Sequence, residues 1–172
     1  MTANEDASAK TGAKTPADGA AVDFAADPPP TRFRLRSPLL DAGSLSTVLA
    51  ETPNFQLKIR CYAPHEGENA MHSHHHQEHS FVVLQGTARF YGPRGETWDL
   101  GRNEGIMLYD RTWYCFENSG EDPLVVLRIA TFLPHEGDPN KRLGVNGLQI
   151  DPHTAENKRP ETRVFREGAF YE

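Results

Sequence analysis

The sequence has few cysteines, no long apolar run and no excess of positive charge, and each shortage excludes a class of protein. Cys61 and Cys115 are its two cysteines, so a disulfide framework is not expected and the reducing cytoplasm is the expected compartment. No apolar run approaches the roughly 20 residues that a membrane-spanning helix needs, and no N-terminal segment is typical of a signal peptide. The formal net charge of −6 argues against nucleic acid as a partner. Neither a membrane nor a nucleic acid is therefore expected.

The chain length suits one folded domain with a tail at each end. A sequence of 172 residues that is 37% hydrophobic can bury a single core. Residues 1–30 contain few large apolar side chains and end in three prolines, which predicts a disordered leader. Residues 136–172 are polar and interrupted by Pro and Gly, which predicts either an extended C-terminal arm that packs through its few apolar side chains or a solvated tail. The domain itself is predicted over residues 31–135.

Between the tails the chain reads as a series of short β-strands. Phe55–Tyr62 is the clearest, because apolar and polar residues alternate along it, which predicts one face in a core. Gly, Pro, Asn and Asp turns separate the candidates, and no convincing amphipathic helix lies between them. This pattern predicts an all-β barrel or sandwich. The candidate strands are Ser44–Glu51, Phe55–Tyr62, Phe81–Tyr91, Trp98–Leu100, Gly105–Tyr109, Thr112–Glu117 and Leu124–Phe132.

Five of the eight histidines fall between His72 and His79. Neutral imidazole is a good donor to divalent metals, so this crowding predicts a metal site. Residues two apart in a strand share a face, so His72 and His74 can point into one cavity while His79 returns on the next strand. His75 and His76 are then turn residues that face solvent. The alternative is an exposed loop with adventitious metal affinity.

This histidine segment resembles the first motif of the cupins, which are small β-barrels with a metal held inside. His72-Ser73-His74, four residues, His79, six residues and Gly86 reproduce its spacing. The resemblance implies a single antiparallel β-barrel of the jelly-roll type. It also implies a homodimer, because cupins commonly pair through sheet edges.

The third metal ligand has two candidates. Most cupins have a glutamate where this sequence has His79, and Glu78 is one position away. Counting back from Gly86 selects His79, whereas counting forward from His74 also allows Glu78, since the family tolerates either spacing. We favour His72, His74 and His79 as the metal ligands.

Residues 103–118 resemble the second cupin motif in a degenerate form. Asn118 stands at the expected end of the motif, but Tyr109 replaces its proline and Tyr114 replaces its metal-binding histidine. The resemblance covers about residues 55–132. Tyr114 is therefore a candidate fourth ligand if ionised, or a hydrogen-bond donor and general acid if neutral. As an aromatic residue on an inward strand face, it can also be ordinary core filling.

Three functions are compatible with this site. The resemblance implies a non-haem Fe(II)-dependent dioxygenase, because some small cupins use three histidines to bind iron and cleave diketones or related enols. Neutral ligands leave the metal its full positive charge, which favours an anionic small-molecule substrate that chelates through two oxygens. The alternatives are a metal-dependent lyase or isomerase, in which Tyr114 transfers a proton, and a non-catalytic small-molecule-binding cupin. Zn, Ni, Mn and Cu suit the same histidines.

Overall fold

The computed structural model describes residues 28–134, 141–150 and 162–172, and these residues form β-strands and turns. None of them belongs to a helix that could cross a membrane. The all-β prediction is confirmed, whereas the predicted leader lies almost wholly outside the described residues. The strands are β1 (Ser37–Ala42), β2 (Ser44–Thr52), β3 (Phe55–Tyr62), β4 (Gly67–His74), β5 (Gln77–Gln85), β6 (Ala88–Tyr91), β7 (Thr97–Leu100), β8 (Gly105–Leu108), β9 (Tyr114–Asn118), β10 (Leu124–Phe132), β11 (Arg142–Gly144), β12 (Gln149–Ile150) and β13 (Val164–Tyr171).

Two antiparallel sheets face each other and enclose the core. One has the strand order β2-β3-β10-β5-β8 and the other has the order β12-β11-β4-β9-β6-β7, while β1 and β13 form a separate ribbon. The order departs from the chain order in both sheets, as in a jelly roll. The predicted barrel is thus a pair of facing sheets, and in the described residues their hydrogen-bonded ladders do not join into a closed ring.

The interior is apolar at one end and polar at the other. Phe81 from one sheet packs against Phe116 and Phe90 from the other, with ring centroids 5.2 and 5.6 Å away. Phe90 and Phe116 stack at 4.8 Å. Burial of these rings supplies much of the hydrophobic stabilisation. The apolar end comprises Tyr62, Phe81, Val83, Ala88, Phe90, Leu108, Tyr114, Phe116, Leu124 and Val126.

The prediction that β3 has only one face in a core is wrong. Its outward residues Ile59 and Cys61 are as buried as its inward residue Tyr62. The reason is the β1–β13 ribbon, which lies outside the five-stranded sheet and covers it. Leu40 of β1 packs there with Ile59 and Cys61 in a second apolar cluster, the outer cluster. Burial raises the pKa of the Cys61 thiol to about 11.

The prediction of one strand over Phe81–Tyr91 is also wrong. The chain leaves the five-stranded sheet at the end of β5 and enters the six-stranded sheet at β6. Gly86 makes this change possible, because its φ of 79° lies in the left-handed region and an added Cβ would meet the Pro123 carbonyl oxygen at 3.0 Å. The glycine of the first motif therefore has a backbone role.

The described part of the C-terminal extension contributes strands to the fold. β11 pairs with β4 and extends the six-stranded sheet, and β13 pairs with β1. Ala169 and Tyr171 pack on the outer cluster, whereas Phe165 and Phe170 are exposed. The described segments thus join the fold through strand pairing, whereas Leu148, Val164 and the two phenylalanines, whose packing was predicted, stay exposed. The domain boundaries at residues 31, 135 and 136 stay predictions.

Candidate metal centre

The histidine segment crosses from one sheet to the other. His72 and His74 lie on the inward face at the end of β4, and His79 lies on the inward face at the start of β5. The connection between them is His75 and His76, with His76 at a φ of 63° and its backbone N–H donating to Asp110 Oδ1 at 2.6 Å. This short crossing brings histidines from two sheets face to face.

The three histidine rings and the Tyr114 ring form one buried cluster. The ring centroid of His74 lies 5.1 Å from those of both His72 and His79. The Tyr114 ring lies 4.6 Å from His72 and 5.4 Å from His79. All four side chains are at most 4% exposed. The structure thus brings together the four residues that the sequence singled out.

Glu78 lies on the other face of β5. The strand alternates between buried and half-buried residues, with His79 on the buried side and Glu78 on the half-buried side. A half-buried carboxylate that points outward is poorly placed to bind the same metal ion as His72 and His74. The placement of these two residues favours His79 over Glu78 as the third ligand, and this choice stays a prediction.

Burial keeps the three imidazoles neutral. It lowers the pKa of His74 and that of His79 to about 2, with the neighbouring histidine and Arg128 as the respective second causes. Burial also lowers the pKa of His72, against the opposing effect of Glu68. Neutral imidazole is the form that donates a lone pair to a metal. At neutral pH the cluster is therefore a set of three uncharged nitrogen donors.

Several ring nitrogens of this cluster are buried without a hydrogen-bond partner. They are His72 Nε2, His74 Nδ1 and His79 Nδ1. His72 Nδ1 lies 2.8 Å from the Ala70 carbonyl oxygen, which can only accept, so Nδ1 carries the proton and Nε2 has the free lone pair. A buried polar atom without a partner is unfavourable unless something binds it.

A divalent metal would satisfy these nitrogens, and the chemistry of the donor set fits one. As the side chains are placed, however, no group of three His, Cys, Asp or Glu side chains in the described residues is arranged to hold a metal ion. The metal site predicted from the sequence stays a prediction.

Tyr114 contacts the histidines through a hydrogen bond. Its Oη lies 3.0 Å from His79 Nε2. Burial, together with the charge of Glu68, raises the pKa of the phenol, so Tyr114 keeps its proton. Without a metal, the residue is therefore a neutral hydrogen-bond partner of His79, and its role toward a bound metal stays a prediction.

The sequence analysis missed a buried ion-pair network beside the histidines. Glu68 forms an ion pair with Arg60, lies 3.4 Å from Arg142 Nη2 and accepts a hydrogen bond from Tyr62 Oη at 3.3 Å. Burial alone would raise the pKa of Glu68, but Arg142 and Arg60 outweigh it and hold that pKa well below its usual range. Glu68 Oε2 also lies 3.6 Å from His72 Nε2, which is too long for a hydrogen bond and involves a neutral imidazole. The network therefore borders the histidine cluster without occupying its free nitrogens.

Metal-free protein should lose stability as the pH falls from 6.5 to 5. Unfolded His74 and His79 take up protons below about pH 6.5, whereas the folded pKa values near 2 prevent this, so acid favours the unfolded state. Each histidine should cost about 2 kcal/mol over this range, since one pH unit corresponds to about 1.4 kcal/mol. Urea unfolding at the two pH values measures the effect, and His74→Gln should remove its share. An unfolding free energy that is equal at both pH values would contradict the assigned burial.

Comparisons with known proteins find a family model and a curated relative that each match part of the chain. The family model described as "Cupin domain" matches residues 58–130. The mannose-1-phosphate guanylyltransferase ManC of Salmonella typhimurium is 37% identical over 75 residues, which are 44% of this chain and 15% of that protein. The chain therefore spans only a small part of that relative's length.

Two of the solved structures to which this chain is similar each match 52% of it. One is a cupin domain from Schizosaccharomyces pombe, with a TM-score of 0.48 and 16% identity over 52% of this chain and 64% of that one. Another is KdgF from Halomonas sp., with a TM-score of 0.47 and 18% identity over 52% of this chain and 81% of that one.

Proposed function

We propose that this protein, in which the cupin-domain family model matches residues 58–130, is a non-haem Fe(II)-dependent dioxygenase acting on a small substrate that chelates through two oxygens, such as a diketone or its enol. The observation that carries the proposal is the set of three buried, neutral histidines, each with an unpartnered ring nitrogen. His72, His74 and His79 would hold the metal. Uncharged donors leave the metal its full charge, which favours an anionic enolate.

Bound iron would supply Lewis acidity and electron transfer to dioxygen. The protein contributes the remaining parts of the site. Phe81 packs against His79 with ring centroids 5.5 Å apart, and Tyr114 packs against His72, so aromatic rings exclude water from this side of the histidines. Tyr114 holds a proton on Oη beside His79, where a substrate oxygen can accept it.

A second candidate function is a metal-dependent lyase or isomerase. The observation that favours it is the same retained proton, because burial raises the pKa of Tyr114 and its hydroxyl is bonded to His79. A neutral phenol next to a metal site can act as a general acid without any oxidant. Zn, Ni, Mn or Cu would then serve as well as iron.

Oxygen uptake by defined metal forms distinguishes these functions. Protein purified without a metal-affinity step is stripped, reloaded with Fe(II), Zn, Ni, Mn or Cu, and tested with a panel of diketones and phenolic acids. We expect oxygen consumption with Fe(II) only, lost in His74→Ala and kept in His75→Ala, since His75 lies in the connection between the sheets. Substrate conversion that needs no oxygen would establish the lyase or isomerase instead. Absence of conversion with every metal and substrate would leave the non-catalytic binding function.

We further propose that the protein works in the cytoplasm as a homodimer. Both cysteines are free in the described residues, Cys61 buried and Cys115 half-buried, as suits a reducing compartment. β2 is an edge strand of the five-stranded sheet, and an unpaired edge can add a strand from a second copy. Sedimentation at micromolar concentration should give twice the 19.2 kDa of one chain. A single species at the monomer mass would contradict the dimer.

A further inference from the structure

The polar end of the interior contains more positive charge than the described residues neutralise. Lys58 and Arg60 from β3, Arg128 from β10 and Arg142 from β11 approach it, and each is buried or half-buried. Glu68 is the one carboxylate among the buried side chains of the described residues. Glu68 and the exposed Glu51, whose charge raises the pKa of Lys58, oppose these four cations, so positive charge stays in excess at this end of the described residues.

Lys58 and Arg128 are placed unfavourably for a protein with nothing bound. They are direct partners in the ladder between β3 and β10, so their side chains share one face of the sheet. Like charges that face each other across a ladder are destabilising. Burial, then the charge of Arg128, lowers the pKa of Lys58, which reflects this repulsion.

The guanidinium groups also keep unused hydrogen-bond donors. Arg128 is 6% exposed, and Nη2 donates to Gln77 Oε1 at 2.7 Å, which is a neutral acceptor. Arg142 Nη1 is buried without a hydrogen-bond partner. A guanidinium has five N–H donors in a planar fork that matches the oxygens of a carboxylate or phosphate. Arg60 and Arg142 both have Glu68 as an ion-pair partner, Arg60 in direct contact and Arg142 through Nη2 at 3.4 Å, whereas Arg128 has no ion pair of this kind among the described residues.

We propose that Lys58, Arg128 and Arg142 form a binding site for an oxyanion, a carboxylate or a phosphate group, carried by the substrate. An anion here would neutralise the facing charges and accept the free guanidinium donors at the same time. The assignment of this anion to a substrate rests on the proposed function, whereas the anion site itself does not.

The position of the site relative to the histidines fits this assignment. Arg142 is the ladder partner of His74 between β11 and β4. Gln77, which accepts from Arg128, is two residues before His79 on the same face of β5. A substrate anchored by its oxyanion would therefore extend toward the histidine cluster, and the arginines would select acidic substrates over neutral ones.

Binding of malonate and of inorganic phosphate to metal-free protein tests the proposal. Calorimetric titration at constant ionic strength, with chloride as the balancing salt and glycerol as the neutral control, separates specific binding from screening. We expect saturable binding of malonate or phosphate and none of glycerol. Tighter malonate identifies a carboxylate site, and tighter phosphate identifies a phosphate site. Equal heats with the anions and with chloride would overturn the proposal.

Variants of the cluster distinguish an anion site from a structural role. Arg128→Gln and Lys58→Met should each weaken anion binding at least tenfold and, without anion, should raise the melting temperature by relieving repulsion. Arg102→Gln removes the same charge from an exposed turn and should change neither quantity. Lys58 is half-buried, so Lys58→Met is the variant that keeps the test open if Arg128→Gln fails to fold. Undiminished anion binding in Lys58→Met would overturn the proposal.

The outcome for this site is independent of the outcome for the metal. Anion binding without metal binding would refute the proposed function and retain the oxyanion site. Metal binding with unchanged anion affinity in the variants would retain the proposed function and refute the oxyanion site.

Discussion

Tyr114→Phe should retain its metal and its fold while losing about a hundred- to ten-thousandfold in turnover, the range typical of a general acid or base. The substitution removes the hydroxyl that lies 3.0 Å from His79 Nε2 and leaves the ring packed among the histidines. The proton that burial holds on Tyr114 is then no longer available to a substrate. Steady-state turnover with the best substrate, measured beside metal content, gives the result.

Tyr91→Phe is the matched control. Tyr91 Oη donates to Glu117 Oε1 at 2.5 Å and lies outside the histidine cluster, so the loss of this hydroxyl should leave turnover unchanged. If Tyr114 instead ligates iron as a phenolate, the oxidised protein should show a visible charge-transfer band that Tyr114→Phe lacks.

Tyr114→His should tighten metal binding, because it restores the histidine of the usual second motif. If Tyr114→Phe and Tyr114→His both keep the metal content, colour and turnover of the wild type, Tyr114 serves only to pack the core.

Glu68→Gln should destabilise the fold by about 3–5 kcal/mol, because it removes the anion from a buried ion pair and leaves Arg60 and Arg142 without a counter-charge. The substitution preserves the shape of the side chain, so the effect reports on charge and not on a cavity. Burial favours a neutral side chain, yet Arg142 and Arg60 keep the Glu68 pKa far below normal, which shows how strongly the pair is coupled. Urea unfolding at pH 7 measures the difference.

The Arg89–Asp99 ion pair lies on the surface and serves as the control for the buried Glu68 ion pairs. Arg89 Nε and Nη2 donate to the two carboxylate oxygens at 2.6 and 2.9 Å, but both side chains are largely open to water. Asp99→Asn should therefore cost no more than about 1 kcal/mol. Equal costs for Glu68→Gln and Asp99→Asn would mean that the buried network contributes little to stability.

The all-β architecture and the clustering of the candidate histidines were predictable from local sequence signals. Alternation in β3 and the turn residues gave the all-β fold, and the histidine spacing selected side chains that the structure places together in one buried cluster. Both signals depend on neighbours a few residues apart, which a sequence displays directly.

The features of the fold and of the candidate site that the sequence did not indicate depend on contacts between segments far apart in the chain. β3 was assigned one buried face because nothing near it in sequence indicates that β1 and β13 cover the other. Glu68 and Arg142 meet from strands far apart along the chain, and Arg60 was interpreted as structural. Arg128 gave one usable signal, a charged residue inside the apolar strand β10, where an unpaired charge is costly and so needs a function.

Metal content is the most direct test of the central claim that His72, His74 and His79 hold one divalent ion. Protein purified without a metal-affinity step is analysed by mass spectrometry of the elements, for wild type, His79→Ala and Glu78→Ala. The account predicts close to one metal per chain in wild type and in Glu78→Ala, and a sharp loss in His79→Ala, because two ligands hold a divalent ion poorly. Full occupancy in His79→Ala together with loss in Glu78→Ala would contradict it.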